Sequence, residues 1–222
     1  MKEEMKTPAR RRRGRPSKAN TLDQALLLQL TLKAFAENGF EGTSLKTISD
    51  QLNIDDSLIY YHYKNKQNLW KQAMWQVITE YERQAKETVR LCKDQNTIDL
   101  GKSLTRHLVY FMAEHIEVYK IMNHELTQRS ERSEWIIDNM LKPLGDRLTP
   151  IFQAYKRAGY EVNIPINNYI ALIFGILSQF FFMDTMSKRL YGVDVYQKEE
   201  VDRHADIAVG IIFSSIFRKI RS

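Results

Sequence analysis

Residues 43–66 read TSLKTISDQLNIDDSLIYYHYKNK, and their apolar spacing is the clearest structural pattern in the chain. Ile48 and Leu52 lie one helical turn apart, and after a short break Leu58 and Ile59 supply a second apolar stripe. Two short helices with such stripes can bury them in one small shared core. The spacing is therefore that of a helix-turn-helix.

The residues at the break support the same pattern. Asn53 stands where the chain needs positive φ, a conformation that Asn tolerates better than most non-glycine residues. Asp55 or Asp56 then serves as the N-cap of the second helix, because a short carboxylate can accept a hydrogen bond from its first free amides. The sequence leaves open which of the two is the cap.

The outward face of the second helix is unusually aromatic for an exposed surface. Residues 60–63 read Tyr-Tyr-His-Tyr, and Lys64 and Lys66 follow them. Hydroxyl and imidazole groups in this position can reach phosphates and base edges in a major groove. The alternative is a small helical hairpin whose tyrosines pack on neighbouring helices, which a bare helix-turn-helix pattern does not exclude.

Three stretches of this region resemble the tetracycline-repressor (TetR) family of bacterial transcription regulators. Residues 34–40 (AFAENGF) resemble the end of that family's first helix, and residues 43–49 (TSLKTIS) its second. Residues 59–66 (IYYHYKNK) resemble its recognition helix and the start of the fourth helix. The resemblance covers about residues 21–75. It implies an all-α protein in which a helix-turn-helix head is joined by a long helix 4 to a helical ligand-binding and dimerisation domain, with about nine helices in all.

The resemblance also implies which side chains meet DNA. They are Lys46, Ser57, Leu58, Tyr60, Tyr61, His62 and Lys66. Two positions depart from the family pattern, because Asp56 stands where many members have a lysine and Leu58 where many have a small hydroxyl residue. These departures concern how bases are read.

Positive charge is concentrated at the N-terminus. Residues 1–20 hold eight Lys or Arg and two Glu, which equals the whole net charge of +6, so the rest of the chain is neutral overall. Arg13 and Arg15, separated by a glycine and followed by a proline, are similar to an AT-hook core and suit a narrow A·T-rich minor groove. We therefore predict a disordered basic DNA arm over residues 1–20, with a merely solubilising tail as the alternative.

The remaining pattern is helical, with few glycines and prolines, and divides the chain into two domains. We predict a helix-turn-helix DNA-binding domain over residues 21–66 and a ligand-binding and dimerisation domain over residues 67–222. Helix 1 should begin at Thr21 in a capping box and end near Gly39. A long helix 4, capped by Asn65, should leave the first domain and enter the second.

Two prolines interrupt the helical pattern of residues 134–158. Pro143 and Pro150 each remove an amide donor and clash with the preceding turn, so this seventh helix is either kinked or divided.

The last two predicted helices are apolar on more sides than a small domain can cover. They are helix 8, with apolar residues from Ile170 through Phe182, and helix 9, about Val201 to Ile220. A second copy of the chain would cover them, and TetR proteins are similar in dimerising through these helices. The predicted interface residues are Leu177, Phe181, Ala208, Ile212 and Ile216. The alternative is a monomeric core hairpin.

Aromatic and methionine side chains of helices 5 to 8 are candidates for a ligand cavity. The predicted lining is His107, Phe111, Tyr119, Met122, Trp135 and Phe174. The predicted scattered polar groups are His107, Asn123, His124 and Gln179. Such a lining suits a small hydrophobic or amphipathic ligand, although plain core packing has the same pattern.

Other classes of protein find little support in the sequence. There is no nucleophile elbow, phosphate-binding glycine loop or paired-cysteine metal motif, so we expect no enzyme, metal or cofactor. Cys92 is the single cysteine, no signal peptide opens the chain, and the apolar run 169–183 is shorter than the roughly 20 residues that span a bilayer. We therefore expect a cytoplasmic protein without a membrane partner.

These expectations combine into one leading hypothesis. The chain would be a homodimeric transcriptional repressor that holds a palindromic double-stranded DNA operator and releases it when a small hydrophobic ligand binds. The alternative is a DNA-binding protein of the same fold that acts through a protein partner, in nucleoid or division control, without a small-molecule inducer.

Overall fold

The computed structural model describes residues 23–162 and 164–219, and within them the chain is almost entirely helical. The α-helices are α1 Gln24–Gly42, α2 Leu45–Leu52, α3 Asp56–Tyr63, α4 Lys66–Leu91, α5 Thr97–Glu114, α6 Ile116–Glu125, α7 Glu131–Ile136, α8 Lys142–Arg157, α9 Ile166–Phe182, α10 Asp184–Tyr191 and α11 Lys198–Ile211. Two π-helical turns, Ile137–Leu141 and Ile212–Ile216, follow α7 and α11. Strands β1 (Tyr160–Val162) and β2 (Phe217–Lys219) form a short antiparallel ribbon. The predicted all-α class is confirmed.

Helices α1 to α3, residues 24–63, form a small unit that we call the head. Its core consists of Leu27, Ala34, Leu45, Ile48, Ile59 and Leu69, the last contributed by α4. Asn53 ends α2 with φ 52°, in the left-handed region as predicted. Asp55 resolves the open choice of cap, because its carboxylate accepts a 2.9 Å hydrogen bond from the amide of Ser57.

Helix 1 begins later than the sequence predicted. Thr21 lies outside the described residues, and the observed N-cap is Asp23, whose carboxylate accepts a 3.1 Å hydrogen bond from the amide of Leu26. Both residue types are good caps, so the side chain that reaches the free amides decides the boundary. At the other end Gly39 adopts φ 70°, a conformation that favours glycine, and bends the helix where the sequence predicted its end.

Helix α4 is 26 residues long and packs in two cores. Asn65 caps it as predicted, accepting a 2.8 Å hydrogen bond from the amide of Asn68. Leu69 belongs to the head core, whereas the neighbouring Trp70 belongs to the core of residues 66–219, which we call the body. Helix α1 is shared in the same way, since Leu27 faces the head core and Phe35 the body core. The head is therefore fixed to the body by two helices that pack in both.

The segment with two prolines is divided by a π-helical turn. Residues 137–141 form the wider turn, and the amide of Lys142 donates to the carbonyl of Ile137. Pro143 then lies in the first turn of α8, where a missing amide costs little, while Pro150 remains inside α8. A π-turn accommodates the break without ending the helical path.

The C-terminal end departs from the prediction of one helix to Ile220. Helix α11 stops at Ile211, and Phe217 begins a strand that pairs with Val162. The ring of Phe217 is 1% exposed and lies 4.7 Å from the ring of Tyr155, so burial of this side chain favours the turn away from the helix.

A further helix, α10, was not predicted. In the part of the chain that the structure describes, no single helix is long and apolar enough to cross a membrane, although α9 and α10 together, bent by 52°, have the length and composition to do so.

Replacing Gly101 in α5 with Ala should lower the free energy of unfolding by about 1–3 kcal/mol. A Cβ there would lie 1.9 Å from the hydroxyl of Tyr155, whose ring is 3% exposed and held by Phe213 and Phe217. The matched control is Gly145→Ala in α8, where the nearest side-chain atoms are at 3.9 Å and the change should stabilise by up to about 1 kcal/mol. Urea unfolding followed by circular dichroism measures both. Equal stability of the two variants would contradict this packing.

Candidate nucleic-acid interface

Helix α3 has one buried face and one exposed face. Ile59 is fully buried in the head core, whereas Tyr60 and Tyr61 are 49% and 72% exposed. Ser57 and His62 are also exposed, and Leu58 is half-buried. Helix α3, eight residues long, is therefore held in place by its apolar side and presents hydroxyl and imidazole groups to solvent.

Local contacts orient this aromatic surface. The rings of Tyr61 and His62 meet edge to face at 5.2 Å. Lys64 donates a 2.9 Å hydrogen bond from its ammonium to the carbonyl of Tyr61 and lies 5.4 Å from the centre of that ring. Tyr63 instead packs on the head core, and burial raises the pKa of its hydroxyl. The three residues Tyr60, Tyr61 and His62 are thus available to a partner, and Tyr63 supports them from behind.

Charged and polar groups at the start of α2 lie in the same small head. Lys46 is exposed and pairs with Asp50 at 3.2 Å, one turn along α2. Exposed pairs of this kind are weak, so DNA phosphate can compete for the ammonium group. Ser44 and Thr47 were missed as candidates from the sequence; both are exposed, and their hydroxyls lie 2.7 Å apart at the N-terminus of α2. The sequence feature that could have indicated them is the N-cap residue Ser44. A cap places hydroxyls beside the free backbone amides of a helix N-terminus, and such amides suit phosphate.

Lys66 occupies a different environment from the other predicted DNA contacts. Its ammonium donates to the carbonyls of Phe40 at 2.7 Å and Thr43 at 3.0 Å, and lies 4.3 Å from the ring centre of Phe40. Two of its three donors are therefore used within the protein. The structure assigns Lys66 to the base of the head, and a phosphate contact by this residue would have to use its remaining donor. Arg13 and Arg15 lie outside the described residues.

The residues predicted for a dimer interface are mostly buried within one copy of the chain. Leu177, Phe181, Ala208 and Ile212 are each 0% exposed, and Ile216 is half-buried. The four fully buried residues pack inside the protomer and leave no exposed surface for a second copy, whereas Ile216 keeps part of its surface. The exposed apolar side chains of these helices are Leu172, Ile207 and Ile211. Beside them Gly175 and Gly210 have open space at their Cα atoms.

The predicted ligand residues lie in the body core, but in separate groups of rings. The groups are His107 and Phe111 around Tyr81, Tyr119 with Phe174, and Trp135 with Trp70. Met122 is buried in the same core. The expected polar groups Asn123, His124 and Gln179 are exposed instead, because they lie on the outer faces of their helices. A surface groove of about 420 Å³ lies elsewhere, at α10, and none of the predicted residues lines it.

Five buried side-chain atoms have no hydrogen-bond partner among the described residues, and two of them belong to these groups of rings. They are Nε2 of His107 and Nε1 of Trp70. Burial lowers the pKa of His107, so its imidazole is neutral near pH 7 and keeps one unused ring nitrogen. A buried polar group without a partner costs stability unless a bound molecule satisfies it.

Comparison with known proteins places this head in a family. Residues 27–73, from α1 to the first turns of α4, match the sequence model described as "Bacterial regulatory proteins, tetR family". Over these residues the head is similar to the TetR family. This match agrees with the helix-turn-helix predicted from residues 43–66.

Similarity to individual proteins supports the assignment. The chain is 35% identical over 57 residues to IcaR of Staphylococcus epidermidis, a helix-turn-helix negative transcriptional regulator of the biofilm operon icaADBC. That match covers 26% of this chain and only 28% of the length of IcaR.

Two solved structures share the fold over most of the chain. The regulator FadR from Bacillus subtilis, in complex with stearoyl-CoA, has a TM-score of 0.64 at 15% identity, covering 86% of this chain and 98% of FadR. AibR, in complex with isovaleryl coenzyme A and operator DNA, has a TM-score of 0.60 at 18% identity, covering 85% and 96%. At these identities the likeness shows the fold alone.

Proposed function

We propose that this protein is a sequence-specific DNA-binding transcription regulator of the TetR family, acting as a repressor. The observation that carries the proposal is the exposed turn of α3, where Tyr60, Tyr61 and His62 face solvent above a fully buried Ile59. Aromatic rings with polar tips suit a wet interface such as a DNA groove. Repression is the mode that fits the name of IcaR as a negative regulator. A DNA partner would place the protein in the bacterial cytoplasm.

Phosphate contacts would come from cations on either side of this turn. Lys46 on α2 and Lys64 after α3 are exposed and held only by weak surface contacts. The basic residues 1–20 would add an arm that reaches the adjacent minor groove through Arg13 and Arg15. Phosphate contacts position the head, and the side chains of α3 then discriminate between sequences.

A homodimer would present two such heads to a palindromic operator. Leu172 on α9 is 48% exposed, and Ile207 and Ile211 on α11 are 53% and 44% exposed. Gly175 and Gly210 would let the helices of a second copy approach closely, because no atom lies within 4 Å of a Cβ built there. Covering this face removes apolar surface from water, and a two-fold axis through it sets the heads apart by one DNA turn, about 34–36 Å.

A small amphipathic ligand would bind in the body. The unpartnered atoms of His107 and Trp70 offer two polar contacts among aromatic and aliphatic side chains, which is the composition of many ligand sites. FadR and AibR, which share the fold, were both solved with acyl-CoA molecules, so acyl chains are the first ligand class to test. The ligand would release DNA by binding the non-DNA conformation more tightly, and a hundredfold preference supplies about 2.7 kcal/mol.

The test begins with selection of a duplex from a random pool by the full chain. Acyl-CoA thioesters of short and long chain, free fatty acids and uncharged hydrophobic compounds are then screened by thermal shift. We expect a near-palindromic duplex, and at least one compound that raises the melting temperature and releases that duplex. Selection of no duplex would reject the DNA-binding function. A selected duplex that no compound releases would reject the inducer and favour regulation through a protein partner.

A further inference from the structure

The bend at Gly39 brings a ring of the head against charged side chains of the body. Phe40 follows the bend, and the guanidinium carbon of Arg132 lies 3.9 Å from its ring centre. On the other helix that leaves the head, Lys66 lies 4.3 Å from the same ring centre. We call Phe40, Lys66, Glu125 and Arg132 the Phe40 joint. Two cations near one aromatic ring indicate a specific contact, because apolar packing alone does not require them.

Arg132 is held on the body side by a buried acid. Glu125 on α6 is 2% exposed, and its Oε1 lies 3.0 Å from Nε of Arg132. The N–H direction is off the line of a hydrogen bond, so the contact is a close ion pair. The other carboxylate oxygen accepts a 3.1 Å hydrogen bond from the hydroxyl of Ser130. A buried carboxylate needs such partners, and they fix Arg132 in one place relative to the body.

Lys66, the first residue of α4, contacts the same ring from a second helix. Its ammonium donates to the carbonyl of Phe40, in the last turn of α1, and to that of Thr43, the C-cap of α1. The turn between α1 and α2 is therefore hydrogen-bonded to the first residue of α4. The ring of Phe40 in this turn packs against Arg132 of α7. Glu41 adds only an exposed contact to Arg132 at 3.5 Å.

We propose that the Phe40 joint fixes the angle between head and body, and so sets the distance between the two recognition helices of the dimer. This rests on the DNA-binding function proposed above. The four residues are positioning residues: they act on binding by holding α2 and α3 in register with the body. A ligand that moves α6 or α7 would shift Arg132 and release the ring of Phe40, which changes the angle without unfolding the head.

The test compares three full-length variants. Arg132→Met removes the cation and keeps an apolar stem, while Phe40→Leu removes the ring and leaves the buried ion pair intact. Arg129→Met, an exposed arginine three residues before Arg132, is the matched control. The probe is the duplex selected from a random pool by the wild type, together with versions whose half-sites are moved apart by one or two base pairs.

We expect the two joint variants to bind the selected duplex about tenfold more weakly and to accept the altered spacings that the wild type rejects. Binding to a random duplex should be unchanged. The control variant should match the wild type in every respect. Joint variants that keep the wild-type spacing preference would overturn the proposal.

A second measurement does not depend on DNA. With Cys92→Ser as background, spin labels at Gln51→Cys in α2 and Lys156→Cys in α8 report the distance between head and body. The distance distribution should broaden in both joint variants and not in the control. Unchanged distributions would reject the joint even if DNA binding is confirmed, and broadened ones would support it even if no duplex is selected. If Arg132→Met fails to fold, Phe40→Leu decides the outcome.

Discussion

Replacing Ile207 with Asp should convert the protein to a monomer at micromolar concentration and weaken binding to a palindromic operator about 100- to 10,000-fold. Ile207 is 53% exposed in the C-terminal half of α11, on the face that we propose meets a second copy. A carboxylate there would be buried without a partner, and the two-fold axis would bring two of them into one interface. Each separated head would then hold its half-site alone. Sedimentation and titration of the selected duplex measure the two effects.

The matched control is Val89→Asp on α4. Val89 is also an exposed aliphatic residue, at 44%, but lies outside α9 and α11. Its replacement should leave the sedimentation coefficient and operator affinity unchanged. A wild-type protein that sediments as a monomer, or an Ile207→Asp variant that remains dimeric, would show that this face is not the interface.

Local rules account for the parts of the fold that could be predicted. Asn53 and Asn65 act within a few residues of themselves, through positive φ and through capping, and both behave as the sequence indicated. The head core follows from one-turn spacings that are readable from the chain. The strand at Phe217 could not be predicted in this way, because it depends on β1 and on the ring of Tyr155, neither of which is near in sequence.

The proposed dimer face shows why the sequence did not identify which residues of α9 and α11 are exposed. Helix α9 is apolar on every side, so its sequence does not say which side faces the protomer's own core. Leu177 and Leu172 are of one residue type, yet the structure buries the first completely and leaves the second 48% exposed. Lys66 was assigned to DNA by its neighbours in sequence, whereas its carbonyl partners lie more than twenty residues away. Tertiary contacts decide which side of α9 is exposed and where the ammonium of Lys66 lies.

Replacing Tyr60 or His62 with Ala should cost about 1–3 kcal/mol of binding free energy per half-site, and twice that for a dimer on its palindrome. Both side chains are exposed on α3, directly beside the buried Ile59 that fixes the helix. Their removal takes away groups that read bases or set register, while phosphate contacts from Lys46 and Lys64 persist. Affinity for a random duplex, and the slope of affinity against salt, should therefore change little.

The matched control for these substitutions is Tyr191→Ala. Tyr191 is 72% exposed on α10, as exposed as Tyr61 on α3, but belongs to the body. It should bind the selected duplex like the wild type, and all three variants should unfold at similar urea concentrations because none removes a buried side chain. If Tyr60→Ala and His62→Ala lose affinity equally for selected and random duplexes, the two side chains contribute only non-specific attraction. Sequence reading must then come from another part of the head. The next residues to replace would be Ser44, Thr47 and Ser57, whose hydroxyls are exposed.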